Sequence, residues 1–300
     1  MKFKELPKKR KIQLILLSLW TTFCLLLLVG FTVFLQSYRA SNQAHRAVLV
    51  KEDSQLIGER LVIDRPGKEP VRVNLYRPSE AGQTPLPLVV NVHGGGFVSG
   101  DADVLDTQSQ RLADQWQAVI VTVNYTKADV QPISYGAEEI KDTILYFTME
   151  KAAYGVDPTQ FSIIGYSAGA NHAALASELL VKEQFDLAGL IMAYPWTTGL
   201  SVANQWEDFP PTLFVLAGQD PISQKAKPFM EDMIEAGRTV DVIDYPEAVH
   251  SFIESNNPEG LTGATVDMSQ VVNAEQESLA RQAEAAIGDW LDSHKRKEIR

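Results

Sequence analysis

The stretch "FSIIGYSAGANHAAL", residues 161–175, decides the fold of this chain. Apolar residues run up to Gly165, and an alanine-rich segment typical of a helix begins just after Ser167. A strand that turns sharply into a helix around Gly-x-Ser-x-Gly is the pattern of a nucleophile elbow, in which glycines relieve backbone crowding and the serine hydroxyl stands above a sheet. The same five residues also fit a serine that merely caps a helix. Residues elsewhere in the chain are needed to decide whether Ser167 is a nucleophile or a helix cap.

The order of strand followed by helix recurs along most of the 300 residues. Short, nearly continuous apolar runs are typical of strands that are buried on both faces of a parallel sheet. Two further runs near the beginning, at 60–65 and 71–78, read as a hairpin. Amphipathic segments separate the later runs, at about 106–117, 134–154, 168–182, 223–236 and 274–293. The alternation predicts one doubly wound α/β domain over residues 58–294, with a mostly parallel sheet of about eight strands.

Residues 12–35 contain 24 positions without a charge and follow a basic segment at residues 1–11. A helix of that length spans about 36 Å, enough to cross a hydrocarbon core of about 30 Å. Basic residues are concentrated before this span, which predicts a cytoplasmic N-terminus, a signal anchor in the cell membrane and an extracellular body. A cleaved signal peptide is the alternative, although its apolar region is normally only about 7–15 residues long.

The segments that flank the predicted domain are polar. Residues 36–57 are predicted to form a stalk and residues 295–300 a charged tail. Beyond residue 35 the chain carries 21 Lys and Arg against 37 Asp and Glu, a formal charge of −16, which argues against nucleic acid as a partner. The single cysteine, Cys24, lies inside the apolar span, so we expect no internal disulfide, no thiol nucleophile and no zinc cluster in the body.

A nucleophilic Ser167 needs a general base, and position along the chain favours His250, just beyond the last predicted strand. The other histidines lie in the stalk, before a glycine run, inside the helix after Ser167 and near the tail: His45, His93, His172 and His294. The order Ser, Asp, His places the third member between Ser167 and His250. Among the aspartates there, Asp220 directly follows a strand, so its carboxylate can orient the imidazole. A loop aspartate that begins the next helix is the alternative for Asp220.

The motif "VNVHGGGFVSGD" supplies a further part at the end of another strand. Successive glycines let backbone N–H groups approach a ligand, and an acyl substrate needs such donors for the oxyanion that forms on attack. We expect the N–H groups of Gly95, Gly96 and Ala168 to form an oxyanion hole, with Gly94 shaping the loop and His93 holding it by hydrogen bonds. A phosphate-binding glycine loop is the rival, but no Gly-Lys-Ser/Thr or G-x-G-x-x-G motif follows.

These motifs resemble the α/β-hydrolase superfamily, and within it the hormone-sensitive-lipase-like esterase branch that carries His-Gly-Gly-Gly before Gly-x-Ser-Ala-Gly. The resemblance extends over roughly residues 58–294, where "HGGGF", "VNY", "YGVDPTQFSIIGYSAGA", "AGQDP" and "HSF" occur in the order of that family. It implies an α/β-hydrolase fold and matches the triad and the oxyanion-hole positions of the family to the residues selected above.

Two departures from that branch bear on the substrate. Tyr166 precedes the serine, where the branch usually has an acidic residue, and only 53 residues separate Ser167 from Asp220. That distance is too short for the usual helical cap, which segment 195–210 replaces, so the resemblance implies an open site suited to short-chain, acetyl or aryl esters. Four aromatic side chains are candidates for the walls of the pocket, with ordinary packing as the equal alternative: Phe97, Trp196, Trp206 and Phe252.

The sequence therefore predicts a membrane-anchored serine esterase that acts on a small-molecule ester and requires no cofactor and no metal. An amidase, formamidase or peptidase on the same triad is the first alternative, because all of these reactions use the same parts. A non-catalytic binding protein of the same fold is the second, although such proteins usually carry a broken triad. The sequence leaves the oligomeric state open.

Overall fold

A computed structural model of the chain describes residues 7–80, 85–201, 209–264 and 267–295. The chain forms two compact units, Met1–Ala44 and His45–Arg300. Most of the predicted charged tail, residues 296–300, lies outside the described residues.

The first unit consists of helix α1 (Lys8–Ala47), whose last residues belong to the second unit. Within the described residues α1 is the one helix long and apolar enough to cross a membrane, by length and composition. Its large apolar side chains from Ile12 to Phe34 are exposed, as the lipid-facing surface of a spanning helix would be.

Eight strands form one sheet in the described part of the second unit, which confirms the predicted sheet. They are β1 (Glu59–Ile63), β2 (Val71–Tyr76), β3 (Leu86–Val92), β4 (Val119–Val123), β5 (Val156–Tyr166), β6 (Gly189–Ala193), β7 (Thr212–Ala217) and β8 (Val240–Tyr245). Their order across the sheet is β1-β2-β4-β3-β5-β6-β7-β8. The β1–β2 hairpin and the β2–β4 pair are antiparallel, whereas the remaining pairs are parallel.

Helices cover both faces of this sheet. They are α2 (Asp106–Trp116), α3 (Ile133–Met149), α4 (Lys151–Tyr154), α5 (Ala168–Lys182), α6 (Pro221–Glu235), α7 (Phe252–Ser255) and α8 (Ala274–Ser293). Buried residues of α3, α5 and α6 form one apolar core with the sheet, and those of α2 and α8 form the other. The helix predicted at about 134–154 is two helices, because the chain leaves helical geometry at Glu150.

The second unit begins at His45, which lies inside the segment predicted as a stalk, residues 36–57. The Lys51 ammonium contacts Asp106 Oδ2 at 2.7 Å and Glu259 Oε1 at 2.8 Å. Asp106 is fully buried, and a buried carboxylate needs such partners. Polar residues that read as a solvated linker therefore pair with buried acids of the domain.

Candidate active site

Ser167 stands at the turn between β5 and α5, where the sequence predicted an elbow. Its backbone has φ 52° and ψ −116°, an unfavourable conformation for a residue with a side chain. A Cβ on Gly165 would lie 2.4 Å from the carbonyl oxygen of Gly169, and a Cβ on Gly169 would lie 2.3 Å from that of Val92. The N–H of Ser167 donates to the Ala193 carbonyl at 2.9 Å. Close backbone approach therefore requires both glycines and fixes the strained turn.

The structure brings Ser167, His250 and Asp220 together from three different strand ends. The His250 Nε2 atom lies 2.9 Å from Ser167 Oγ, and its Nδ1 atom lies 2.6 Å from Asp220 Oδ2. The carboxylate also accepts from the N–H groups of Ile222 and Ser223 at 2.8 and 3.1 Å, so it caps α6 as well. Because a carboxylate only accepts, Nδ1 carries the proton and Nε2 is free to accept from the serine hydroxyl.

The glycine run after β3 forms a tight loop beside Ser167. Gly95 and Gly96 have φ values of 124° and 57°, which favour glycine. A Cβ on Gly95 would lie 2.4 Å from the Ser99 carbonyl oxygen. Within the described ranges the N–H groups of Gly95 and Gly96 have no acceptor. Ala168 opens α5, so its N–H has no intrahelical acceptor either. The three predicted donors are thus available to a ligand.

His93 lies behind this loop and is buried. Its Nδ1 atom lies 2.6 Å from the Gly94 carbonyl oxygen, and its Nε2 atom lies 3.2 Å from the Lys127 ammonium. The ring stacks on Tyr125, with centroids 4.4 Å apart. Burial, and secondarily the Lys127 charge, hold the pKa of His93 well below its usual range. His93 is therefore neutral and bonded at both nitrogens, which suits a support of the loop and not a base.

Sequence reasoning missed two ionisable side chains near the loop, Lys127 and Glu254. Lys127 is 5% exposed, and burial lowers its pKa to about 7. Glu254 accepts a hydrogen bond from the Tyr194 hydroxyl, and its Oε1 atom lies 3.1 Å from where a Cβ on Gly94 would stand. Burial raises the pKa of Glu254 to about 8. A charged residue soon after a buried strand or a candidate base is the signal that could have found them.

Tyr166, the departure from the esterase branch, is fully buried in the core formed with α2 and α8. Its hydroxyl accepts from Gln108 Nε2 at 3.1 Å, and that amide also donates to Glu284 Oε1 at 3.2 Å. Tyr166 thus packs beneath the elbow and joins a buried polar network.

His172 has the packing role that the sequence favoured for it. The ring is 1% exposed and lies 4.3 Å from the Tyr125 ring, centroid to centroid. Burial lowers the pKa of His172 to about 3, so the ring is neutral.

Of the four candidate pocket aromatics, Phe97 and Trp196 lie edge to face with centroids 6.2 Å apart, and Trp196 remains exposed. For Phe252 the structure shows ordinary packing, which was one of its two predicted roles, because this side chain is fully buried against Tyr194. Trp206 lies outside the described residues, as does the rest of 202–208 within the segment predicted to replace the cap.

The family profile and the most similar known proteins agree on one family. The profile of the alpha/beta hydrolase fold family matches residues 89–201 and 199–254. The chain is 32% identical over 117 residues to an arylacetamide deacetylase of Oryctolagus cuniculus, covering 38% of this chain and 29% of the relative. It is 30% identical over 121 residues to the carboxylesterase NlhH of Mycobacterium tuberculosis, covering 40% of this chain and 38% of the relative. The matches thus span about a third of the length of these relatives.

The fold also resembles that of solved esterases. An esterase from Rhizomucor miehei superposes with a TM-score of 0.68 at 20% identity, covering 87% of this chain and 91% of the other. With the family profile and the motifs in order, these findings show that the chain belongs to the α/β-hydrolase fold family, in its hormone-sensitive-lipase-like carboxylesterase branch.

Proposed function

We propose that this protein is a serine hydrolase that cleaves carboxylic esters through an acyl-enzyme formed on Ser167. The observation that carries the proposal is the continuous pair of contacts from Ser167 Oγ to His250 Nε2 at 2.9 Å and from His250 Nδ1 to Asp220 Oδ2 at 2.6 Å. Both distances lie within hydrogen-bond range, as proton transfer from a nucleophile to its base requires.

In the proposed mechanism the Ser167 oxygen attacks the ester carbonyl while His250 takes its proton. Asp220 holds the imidazole in the correct tautomer and stabilises the imidazolium that forms. The N–H groups of Gly95, Gly96 and Ala168 donate to the oxyanion, which then collapses and expels the alcohol with the proton from His250. A water molecule, deprotonated by His250, releases the acid and restores the hydroxyl of Ser167.

Amide hydrolysis on the same site is the second candidate, and one observation favours it. The rabbit relative is named for deacetylating arylacetamides, which are amides. The same nucleophile, base and oxyanion donors serve both reactions, and an amide differs in requiring the base to protonate a poorer leaving group. Short-chain, acetyl or aryl esters remain the favoured substrates, because the short segment between Ser167 and Asp220 leaves little room for a covering cap.

We also propose that α1 anchors the enzyme in the cell membrane with its N-terminus in the cytoplasm and the hydrolase domain outside. The excess of basic residues before Ile12 supports this orientation. Protease treatment of intact cells that express the full chain tests it. Digestion of the domain is expected, and protection of the domain in intact cells with digestion after lysis would reverse the orientation.

The activity is tested on the full chain in detergent with a fluorophosphonate probe, beside Ser167→Ala. Wild type is expected to label and the variant not to label, because the probe reacts only with an activated serine. A matched pair, 4-nitrophenyl acetate and 4-nitroacetanilide, then separates esterase from amidase activity. Wild type that neither labels nor hydrolyses either compound would refute the proposed function.

A further inference from the structure

Lys127 is a buried cation that the proposed reaction does not use. Its ammonium is surrounded by three acceptors, the Tyr125 carbonyl oxygen at 2.6 Å, Asn124 Oδ1 at 3.1 Å and His93 Nε2 at 3.2 Å. An ammonium has three donors and no acceptor, so each proton has one partner. Burying a charge is costly, and a cation held this way calls for a reason beyond packing.

The contacts of Lys127 fix the tautomer of His93. Because the ammonium can only donate, Nε2 of the neutral ring must accept, and the ring proton therefore sits on Nδ1. That N–H donates to the Gly94 carbonyl oxygen at 2.6 Å. The hydrogen bonds thus run in one direction, from the ammonium through the imidazole to the carbonyl.

The Gly94 carbonyl belongs to the same peptide unit as the N–H of Gly95. The C–N bond of a peptide has partial double-bond character, so electron density withdrawn at the oxygen is also withdrawn from the nitrogen. A hydrogen bond to the carbonyl therefore makes the Gly95 N–H a stronger donor, and chains of such bonds strengthen one another by an estimated 10–30% each. The Gly95 N–H is one of the proposed oxyanion donors and has no acceptor in the described ranges.

We propose that Lys127 is a positioning residue of the oxyanion hole, which acts through His93 to polarise the Gly94–Gly95 peptide and to hold its N–H toward the substrate oxyanion. The inference rests on the proposed hydrolase function for its kinetic consequences. It does not depend on that function for the hydrogen-bond order itself, which is a property of the resting protein.

The charge state of Lys127 makes the relay dependent on pH. Burial lowers the pKa of Lys127 to about 7, so the ammonium loses its proton as pH rises through that value. A neutral amine is a weaker donor to Nε2, so the relay polarises the Gly94–Gly95 peptide less, while the Gly94 carbonyl keeps the His93 proton on Nδ1. We expect kcat to decrease on the alkaline side for this reason. The charged and titratable groups around the amine are Arg46, Arg72, His93, Asp101, Tyr125, Glu139 and His172.

The test uses the full chain in detergent and the variants Lys127→Met and Lys127→Gln, with Lys68→Met as control. Lys68 is a partly exposed lysine that pairs with Glu138. With 4-nitrophenyl acetate we expect Lys127→Met to lower kcat by about tenfold with KM within about twofold, less than the 10²–10³ typical for loss of a whole oxyanion donor. Lys127→Gln keeps a donor for His93 without the charge, so its kcat should lie between the two. Both should lose the decrease of kcat near pH 7.

A readout independent of activity comes from the ¹⁵N chemical shifts of the His93 ring, assigned with His93→Gln. In wild type at pH 6 the proton should reside on Nδ1, and the Nε2 resonance should move as the pH rises through about 7, when the ammonium becomes a weaker donor. In Lys127→Gln the Nε2 resonance should not change over the same pH range. If Lys127→Met does not fold, Lys127→Gln and this spectrum decide the question. A proton on Nε2 at pH 6, or unchanged kcat and pH profiles in folded variants, would overturn the proposal. A wild type that is inactive but has the Nδ1 proton would refute only the hydrolase function.

Discussion

Two histidines at the carboxyl edge of the sheet are bonded at both ring nitrogens, but their partners carry opposite charges. His250 lies between the Asp220 carboxylate and the Ser167 hydroxyl, whereas His93 lies between the Lys127 ammonium and a peptide carbonyl. A nearby anion stabilises an imidazolium and a nearby cation opposes it. The same ring is therefore suited to taking a proton at one position and to remaining a neutral hydrogen-bond relay at the other.

The largest expected effect comes from removing the anion beside His250. Asp220→Asn leaves a side chain of the same shape, but its amide can donate to Nδ1 and so favours the wrong tautomer of the base. In a serine protease with the same triad this change lowers kcat by about 10⁴, and we expect a comparable loss here with 4-nitrophenyl acetate. Asp232→Asn is the matched control, because Asp232 is exposed on the same helix, α6. Asp220→Asn with more than a tenth of wild-type activity would contradict the assignment.

A smaller effect is expected in the glycine loop after β3, which His93 supports. Gly95→Ala places a Cβ 2.4 Å from the Ser99 carbonyl oxygen at a φ of 124°, so the loop has to move. Displacing one oxyanion donor typically lowers kcat by about 10²–10³, with a small change of KM. Gly237→Ala is the control for backbone strain alone, since Gly237 has a φ of 75° and a Cβ there meets no atom within 4 Å. Equal kinetic losses in both variants would mean that the effect is general destabilisation.

A smaller, pH-dependent effect is expected from the carboxyl group of Glu254, which lies beside Gly94 and the Tyr194 hydroxyl. Burial raises the pKa of Glu254 to about 8, so the group is neutral at pH 7 and gains a negative charge as pH rises through about 8. That charge would lie beside Gly94 and oppose the developing oxyanion. Like charges in such surroundings repel by about 1–2 kcal/mol, so we expect kcat to decrease about five- to thirtyfold above pH 8.

Glu254→Gln should remove this decrease, because the amide does not ionise, and should leave kcat at pH 6.5 within about threefold of wild type. The same variant also tests how the Glu254 carboxyl group contributes to folding stability as the pH changes. A group whose folded pKa is raised contributes stability below its unfolded pKa and loses it as pH rises through the folded value. The unfolding temperature of wild type relative to Glu254→Gln should therefore decrease between about pH 4.5 and pH 8. Parallel melting curves across that range would show that Glu254 is already ionised.

The sequence predicted the strands and the proposed triad for a physical reason. Strands buried on both faces are continuous apolar runs, and Ser167 and Asp220 follow two such runs, whereas His250 lies just beyond the last strand, β8. Parallel strands bring those ends to one edge of the sheet, so order along the chain translated into proximity. The fold confirms the predicted sheet, and the distances between the three side chains support the proposed triad.

The burial of two charged side chains could not be predicted from the sequence, because a lysine or a glutamate has the same sequence context whether water or protein surrounds it. Lys127 and Glu254 follow a strand and a candidate base, but contacts with residues distant in sequence, such as His93 and Tyr194, are what bury them. The segment around Lys51 was predicted as a stalk for the same reason, since its polar composition is that of a linker until Asp106 and Glu259 supply partners. Tertiary contacts, which single-sequence patterns do not encode, decided all three cases.

The smallest effect is expected at Tyr166, which adjoins the nucleophile in sequence yet faces away from it. Tyr166→Phe removes the acceptor for Gln108 Nε2, but that amide keeps Glu284 Oε1 as a partner, so the unfolding free energy should decrease by about 1 kcal/mol. Tyr194→Phe is the informative counterpart, because it removes the hydroxyl that donates to Glu254. Tyr166→Phe should leave the pH profile of kcat unchanged, since the Ser167 turn is held by the Ala193 carbonyl and by glycines. Tyr194→Phe should move the alkaline limb, because an unpartnered carboxylate is harder to ionise in a buried position. Profiles that shift in Tyr166→Phe and not in Tyr194→Phe would mean that the residue before the nucleophile acts on the chemistry and that Glu254 does not.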